Sequence, residues 1–174
     1  MNNKQNRINH DIFDKWSEES AYLFGFWFSD GGIGISHEKH RNRYRKNFII
    51  SNTDVQVIKL ARKILRTGSL QKINPKKKHH KVCYRIVINS DKIFDFCYSV
   101  VGSTNKSGSN LYLPKIPDLY IHHFIRGYFD GDGSAYFKHY KTRHGGKVRN
   151  FGISFTAGLQ TGKLLEELRD LLVL

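Results

Sequence analysis

Aspartate is the residue type best placed to do chemistry in this chain, and its densest group lies in DGDGS at residues 130–134. The run superficially resembles two known kinds of site. A calcium-binding loop that began at Asp130 would need a glutamate at its twelfth position, where the chain has Lys141. A phosphotransferase of the Asp-x-Asp-Gly type would need a doubly wound sheet, which the short, basic and β-rich stretch after Ser134 does not suit. The histidine pairs at residues 79–80 and 122–123 are predicted to be surface or groove residues and not metal ligands.

Asp132 has a counterpart earlier in the chain, because Asp30 and Asp132 each follow a glycine by five residues and precede another glycine. The first copy reads LFGFWFSDG and the second reads IRGYFDGDG, so Gly25 corresponds to Gly127. A glycine inside a helix costs about 1 kcal/mol relative to alanine, so two at matched positions need a reason. Close approach of two helix backbones is the obvious one. We therefore predict that two helices pack together at Gly25 and Gly127.

The elements that position these aspartates also occur twice. Ser17 is a plausible cap for a helix that is apolar on nearly every side and therefore buried. After each aspartate come a polar stretch, an apolar strand at residues 48–51 or 151–155, and a helix at residues 54–65 or 161–172. The first copy continues with an alternating strand over residues 82–89 and a closing helix over 90–101.

The pattern predicts four segments: an N-terminal extension over residues 1–16, a complete unit over 17–102, a linker over 103–118 and a shorter second unit over 119–174. The second unit lacks the third and fourth strands and the closing helix. We expect a natural truncation, completion by another chain, or a dimer that pairs or swaps its unfinished units, since an incomplete sheet leaves an exposed edge.

Charge and composition point to a polyanionic partner. The chain has 174 residues, of which 39% are hydrophobic and 13% aromatic, which argues against a disordered basic tail. Its net charge is +14, and residues 39–46, 72–85 and 138–149 hold 16 of the 29 basic side chains and no acid. Neither a membrane-spanning run nor a signal peptide is evident, and Cys83 and Cys97 fit no zinc or redox motif. We expect an intracellular protein, cytoplasmic, nucleoid-associated or organellar, with no membrane partner.

The two helix segments resemble the paired motifs of single-chain LAGLIDADG homing endonucleases. FIRGYFDGDGS at residues 124–134 is the stronger match, whereas Phe28 stands where the family usually has an acid in the first copy. The resemblance covers the chain from about Ser17 onward. It implies an α+β fold: an αββαββα unit followed by an incomplete αββα copy, with the motif helices packed together under a DNA-binding β saddle.

The resemblance also implies chemistry. Asp30 and Asp132 would jointly hold divalent metal ions, with Mg²⁺ expected and other divalent cations as alternatives, because two close carboxylates cannot both stay ionised without cations between them. Ions about 4 Å apart can activate water and stabilise the leaving oxygen in phosphodiester hydrolysis. The carbonyls of Ser29 and Gly131 match positions that often assist the metals. Lys106 matches a lysine that orients water or stabilises the transition state, with a solvated linker lysine as the equal alternative.

DNA contacts would come from the strands, which can lie along the major groove as a β-ribbon. The expected DNA-binding residues are the basic side chains of three segments: Lys39, Arg41, Arg43, Arg45, Lys76, Lys77, Lys78, Arg85, Lys138, Lys141 and Arg143. The arginines at 41, 43 and 45 are predicted to share one side of a strand and to read guanines or hold phosphates. The lysines at 76–78 are predicted to form a phosphate-contacting loop.

Taken together, these features predict site-specific binding of double-stranded DNA and Mg²⁺-dependent cleavage by a nuclease of an intron or other mobile element. The alternative keeps the fold and loses the catalysis. Relatives of these endonucleases include DNA-binding regulators and helpers of intron-RNA splicing, whose basic surfaces would be similar. Both terminal aspartates are present, which favours the enzyme.

Overall fold

The computed structural model describes residues 7–75, 77–106, 111–143, 145–158 and 162–173. Its helices and strands follow the chain in the order α1 (Glu18–Asp30), β1 (Gly31–Glu38), a 3₁₀ turn (Lys39–Arg41), β2 (Arg43–Asn52), α2 (Val55–Ile64), β3 (Gln71–Ile73), β4 (Cys83–Asn89), α3 (Asp91–Val101), α4 (Asp118–Asp132), β5 (Gly133–Lys141), β6 (Lys147–Phe155) and α5 (Gly162–Leu172). This is the predicted α+β order, αββαββα followed by αββα. Within the described residues, every helix is too short or too polar to traverse a bilayer.

Helix α1 lies at the centre of the molecule. It begins with a reciprocal cap, in which the Ser17 hydroxyl accepts from the Ser20 backbone N–H at 3.1 Å and the Ser20 hydroxyl accepts from the Ser17 N–H at 2.8 Å. Residues 20–28 are all buried, as the nearly all-apolar sequence predicts. One side of α1 packs against the first sheet and another against α4.

Helices α1 and α4 meet at their two glycines. A Cβ added to Gly25 would lie 2.8 Å from the carbonyl carbon of Phe124 and closer still to its oxygen. A Cβ added to Gly127 would lie 2.8 Å from the backbone nitrogen of Phe26 and closer still to the carbonyl oxygen of Tyr22. Both obstacles are backbone atoms, so no side-chain rotation could make room. The contact therefore requires glycine on both helices.

The first sheet is antiparallel throughout and has the strand order β1-β2-β4-β3. The register places Ile33, Phe48 and Ile88 side by side on one face, with Ile50 and Ile86 beside them. These five residues are buried against the helices. The opposite face, called here the open face of the first sheet, carries the alternate residues Ser36, Glu38, Arg43, Arg45, Asn47, Ile49, Ser51, Arg85, Val87 and Asn89.

The second sheet comprises β5 and β6, paired from Gly133 with Phe155 to Lys141 with Lys147. Its base belongs to the common core, since Phe155 packs against Tyr128 and Phe129. Farther along the hairpin both faces are exposed in the described part of the chain. Ile153, for example, is 54% exposed, whereas the equivalent Phe48 of the first sheet is fully buried. The two units are therefore unequal in what covers their sheets.

Candidate metal centre and nucleic-acid interface

Asp30 and Asp132 are the last residues of the two central helices. Gly31 and Gly133 end those helices, and their N–H groups donate to the carbonyls of Trp27 and Phe129. Since α1 and α4 run side by side, both aspartates come to one small region. The Asp30 Oδ2 atom lies only 3.4 Å from the point that a Cβ on Gly131 would occupy. The negative ends of two helix dipoles are thus combined with two carboxylates, an arrangement that favours bound cations.

The electrostatics of the two carboxylates agree with this. Burial raises the pKa of Asp30, and a hydrogen bond from Asn52 and the charge of Lys106 oppose that rise. Burial also raises the pKa of Asp132, and the nearby negative charge of Asp30 raises it further, while Lys106 opposes it. The net rise means that the folded protein holds both negative charges at a cost, which a divalent cation would relieve.

Asn52, at the end of β2, is a site residue that the sequence analysis missed. Its Nδ2 group donates to Asp30 Oδ2, and its Oδ1 atom accepts from the Asp54 backbone N–H at 2.7 Å. The registers pair Gly31 with Ile50 and Gly133 with Phe155, so the position equivalent to Asn52 in the second unit is Ala157. That strand position therefore offers Asp132 no amide side chain equivalent to Asn52. In the sequence, the one sign of the contact between Asn52 and Asp30 is that a polar asparagine follows the apolar residues of β2.

Lys106 lies partly buried at the end of α1. Its ammonium donates to the carbonyl oxygens of Trp27 at 2.8 Å and Phe28 at 3.0 Å, and it lies 3.5 Å from that of Ser29. It also lies 4.8 Å from the centre of the Trp27 ring. Burial lowers the pKa of Lys106 to about 8, although the charges of Asp132, Cys97 and Asp30 oppose that fall. The side chain thus caps helix α1 and is not a freely solvated linker lysine.

A cavity of about 200 Å³ opens beside Asp132. Its lining includes Ser29, Lys106, Tyr128 and Asp132, so a carboxylate and an ammonium group border the same space. The expected metal-assisting carbonyl of Ser29 is at this border, where it faces the Lys106 ammonium. Gly131 packs against the Ser29 side chain so closely that a Cβ would lie 2.7 Å from Ser29 Cβ, which accounts for the glycine through packing alone.

The residues present fit a magnesium ion better than a metal that needs a full protein cage. In the described ranges, no group of three or more histidine, cysteine, aspartate or glutamate side chains is placed to hold a metal. Mg²⁺ needs no such group, because it is usually held by one or two carboxylates together with water and phosphate oxygens. Asp30 and Asp132 could supply those two carboxylates.

The structure divides the predicted DNA-binding residues of the first unit into two groups. Arg43, Arg45 and Arg85 lie on the open face of the first sheet. Lys39 and Arg41 lie in the 3₁₀ turn, and Lys77 and Lys78 lie between β3 and β4, whereas Lys76 falls outside the described residues. The prediction that Arg41 shares a strand face with Arg43 and Arg45 is wrong. Asn42 adopts a left-handed conformation with φ of 44°, which separates the turn from β2.

Of the three residues predicted to bind DNA in the second unit, all of them described, Lys138 alone lies on the face equivalent to the open face, where its neighbours are Tyr136, Tyr140 and Asn150. Lys141, which is also predicted to bind DNA, lies on the opposite face of the hairpin, because residues three apart on a strand point to opposite faces. Arg143 lies in the turn that follows β5. The surface is therefore more aromatic and less basic than predicted.

Arg85 lies on the inner strand β4, where it pairs with Ser51 of β2 and Gln71 of β3. Among the described residues, its buried Nε atom has no hydrogen-bond partner. A buried donor without a partner is costly and rare in folded proteins. The first sheet thus contains an arginine whose buried Nε donor is unsatisfied within the described residues.

Solved structures with a similar overall fold include several LAGLIDADG endonucleases. The LAGLIDADG meganuclease I-AabMI bound to uncleaved DNA aligns with 87% of this chain and 71% of its own, with a TM-score of 0.60 and 16% identity. The homing endonuclease I-LtrWI bound to target DNA covers 90% and 72%, with a TM-score of 0.60 and 12% identity. I-SmaMI bound to uncleaved DNA in the presence of calcium ions covers 92% and 74%, with a TM-score of 0.56 and 14% identity.

At identities this low, the likeness shows the fold, and the fold is that of the LAGLIDADG homing endonucleases. No model of a protein family matches the sequence. No curated protein matches it either. The predicted fold class is confirmed, and the roles of the site residues remain predictions.

Proposed function

We propose that this protein binds a specific double-stranded DNA site and cleaves it in a reaction that depends on Mg²⁺. The observation that carries the proposal is the convergence of Asp30 and Asp132 at the ends of two tightly packed helices. A pair of half-buried carboxylates with raised pKa values at one position is typical of a metal-dependent active site.

DNA binding is supported by the open faces of both sheets. The first presents Arg43, Arg45 and Arg85, and the second presents Lys138 among tyrosine and asparagine side chains. Antiparallel strands of this kind can enter the major groove, where arginine and amide side chains read base edges. Proteins of the same fold, I-AabMI and I-LtrWI, are bound to DNA in their solved structures. The net charge of +14 adds a sequence-independent attraction to phosphates.

For the chemistry, Asp30 and Asp132 would hold Mg²⁺, which activates bound water and stabilises the leaving oxygen. I-SmaMI, which has the same fold, is bound to DNA in the presence of another divalent cation, calcium. Asn52 fixes the orientation of the Asp30 carboxylate through its hydrogen bond. The Lys106 ammonium holds positive charge beside both carboxylates and can stabilise negative charge that develops on a phosphate.

The test begins by selecting bound sequences from a pool of randomised double-stranded DNA. The selected sequence is then placed in a supercoiled plasmid and incubated with the protein and Mg²⁺. We expect nicked and linear products that disappear with EDTA and in Asp30→Asn and Asp132→Asn. Asp170→Asn is the matched control, because it removes an exposed carboxylate on α5 and should cleave normally.

Cleavage that survives both substitutions at the helix ends would refute the assigned roles. Tight sequence-specific binding without cleavage, unaffected by Asp30→Asn and Asp132→Asn, would instead support a binding-only relative. Preferential competition by structured intron RNA would point to a splicing helper. Assays on the wild type and the two aspartate variants therefore distinguish a nuclease, a DNA-binding relative without cleavage and a splicing helper.

A further inference from the structure

One acid lies at the centre of the basic tip of the β1–β2 hairpin. Glu38 accepts hydrogen bonds from Arg43 Nε at 2.7 Å and from Arg45 Nε at 2.6 Å, and Arg45 Nη2 lies 2.6 Å from the same carboxylate oxygen as an ion pair. Its other oxygen lies 2.9 Å from His40 Nε2 and 3.6 Å from Arg41 Nε. The glutamate side chain is only 13% exposed although it belongs to a surface hairpin. It is thus enclosed by the side chains that it pairs with.

The contacts of Glu38 continue as a network across the open face of the first sheet. Arg45 Nη1 donates to Asn89 Oδ1 at 3.0 Å, and Asn89 Nδ2 donates to Asn47 Oδ1 at 2.5 Å. Asn47 Nδ2 donates to the Ser36 hydroxyl at 2.9 Å. The chain of hydrogen bonds therefore joins β1, β2 and β4 through side chains alone. Each member is held in one orientation by its neighbours.

The network treats its two strand arginines differently. Arg45 uses Nε and both terminal nitrogens within the network, and its side chain is 33% exposed. Arg43 uses Nε, its side chain is 51% exposed, and its terminal nitrogens make no hydrogen bond to the described residues. Arg45 therefore serves to hold the network together, whereas Arg43 is held at its Nε atom and keeps its terminal nitrogens free of hydrogen bonds to the described residues.

Stability alone does not account for Glu38. Three partners of Glu38 (His40, Arg41 and Arg43) are more than half exposed, and ion pairs with such partners contribute little to the stability of a fold, because side-chain entropy and salt screening offset the attraction. An acid on a surface that binds phosphates also weakens every DNA complex by repulsion. Its presence makes physical sense if the ordering of the arginines matters more than their summed charge.

We propose that Glu38 is a positioning residue that determines DNA sequence specificity by holding Arg43 with its terminal nitrogens free to meet O6 and N7 of a guanine in the major groove. The inference rests on the proposed DNA-binding function and deepens it. A side chain that is ordered before binding loses little conformational entropy when it meets the base. A guanidinium group held in one orientation can donate two parallel hydrogen bonds to guanine and does not match the acceptors of the other bases. The carboxylate also limits the attraction of the hairpin tip for phosphates of any sequence.

The experiment compares four proteins by sequencing the duplexes that each retains from a randomised double-stranded pool. They are the wild type, Glu38→Gln, Arg43→Lys and the control Glu166→Gln, which removes an equal charge from the exposed side of α5. We expect the wild type to show a guanine preference of about tenfold at one position. Arg43→Lys loses it because lysine lacks the fork, and Glu38→Gln reduces it to about threefold at that position alone.

The same proteins are titrated with a mixed-sequence duplex at several salt concentrations. For Glu38→Gln we expect affinity for this non-specific DNA to rise about three- to tenfold, with a log–log salt dependence steeper by about 1. For Glu166→Gln we expect a smaller change, because its charge lies away from the strands. Thermal melting checks that all variants are folded.

An unchanged guanine preference in Glu38→Gln or Arg43→Lys would overturn this inference while leaving DNA binding intact. An equal rise in non-specific affinity for Glu166→Gln would also overturn it, because net charge would then suffice. A wild-type protein that retains no DNA from the pool would overturn the proposed function and this inference together.

Discussion

Replacing Gly127 by alanine should destabilise the protein even though alanine is the better helix former. The added Cβ would lie 2.8 Å from the Phe26 backbone nitrogen and 2.9 Å from the Tyr22 carbonyl carbon. To reach even the 3.4 Å of ordinary contact, α4 must retreat from α1 by at least 0.5–0.6 Å, and by more to clear the Tyr22 oxygen. The shift separates two helices along the interface that ends at Asp30 and Asp132.

The expected magnitude follows from two opposing effects. Overpacking a rigid interior costs about 1–3 kcal/mol, and here the obstacles are backbone atoms that cannot rotate away. Alanine returns about 1 kcal/mol through its higher helix propensity. The two effects together leave a net loss of about 0–2 kcal/mol. Because the obstacles are rigid, we expect the upper end, about 2 kcal/mol, which lowers the Tm of a chain this size by about 4–8 °C.

Thermal and urea unfolding followed by circular dichroism measure this change directly. Gly162→Ala is the matched control, because Gly162 lies at the start of α5 with open space where its Cβ would be. That variant should be as stable as the wild type or slightly more stable. If Gly127→Ala were as stable as Gly162→Ala, helices α1 and α4 would not be in rigid contact, which would refute this prediction. Gly25→Ala should add little to Gly127→Ala, because one separation relieves both clashes.

Three further predictions concern the site itself. In metal-free buffer, Asp132→Asn should have the same free energy of unfolding as the wild type near pH 4 and a higher one, by up to about 1 kcal/mol, at pH 7.5. The reason is that burial and the charge of Asp30 raise the pKa of Asp132 above its ordinary 3.8. The stability that the wild type gains from the protonated carboxyl is therefore lost as pH rises. A constant difference across pH would contradict this. Mg²⁺ at 100 times its Kd should stabilise the wild type by about 2.7 kcal/mol and the Asp30→Asn/Asp132→Asn double variant not at all, as judged by urea unfolding. Lys106→Met should slow cleavage about a hundredfold with less than a tenfold change in DNA affinity; an unchanged rate would leave Lys106 only a structural role.

The sequence could predict those features that depend on local pattern. The apolar run at residues 21–28 dictates a buried helix, and Gly25 and Gly127 at matched positions dictate where two helices touch. The order of strands and helices follows from the change between alternating and helical periodicity. These features need no knowledge of which distant residues become neighbours.

Contacts between distant residues could not be predicted in the same way. Asn52 reaches Asp30 only because β2 returns antiparallel to β1 in one register, and Lys106 reaches α1 from a position 79 residues beyond Trp27. Glu38 stands one residue before a basic segment and looks like its boundary, although it is the acid around which the arginines are ordered. The face of Lys141 depends on strand register, which composition does not reveal.

The burial of α1 on all sides also determines how the chain folds. Phe24 and Phe28 contact Phe124 of α4, and the same hydrophobic core extends to Leu164 and Leu168 of α5. Neither repeat can hide this helix alone, so the apparent boundary between repeats is not a boundary of folding. We expect one cooperative unfolding transition, and a polypeptide cut within the linker should yield halves that remain associated or precipitate, and not two independently soluble domains.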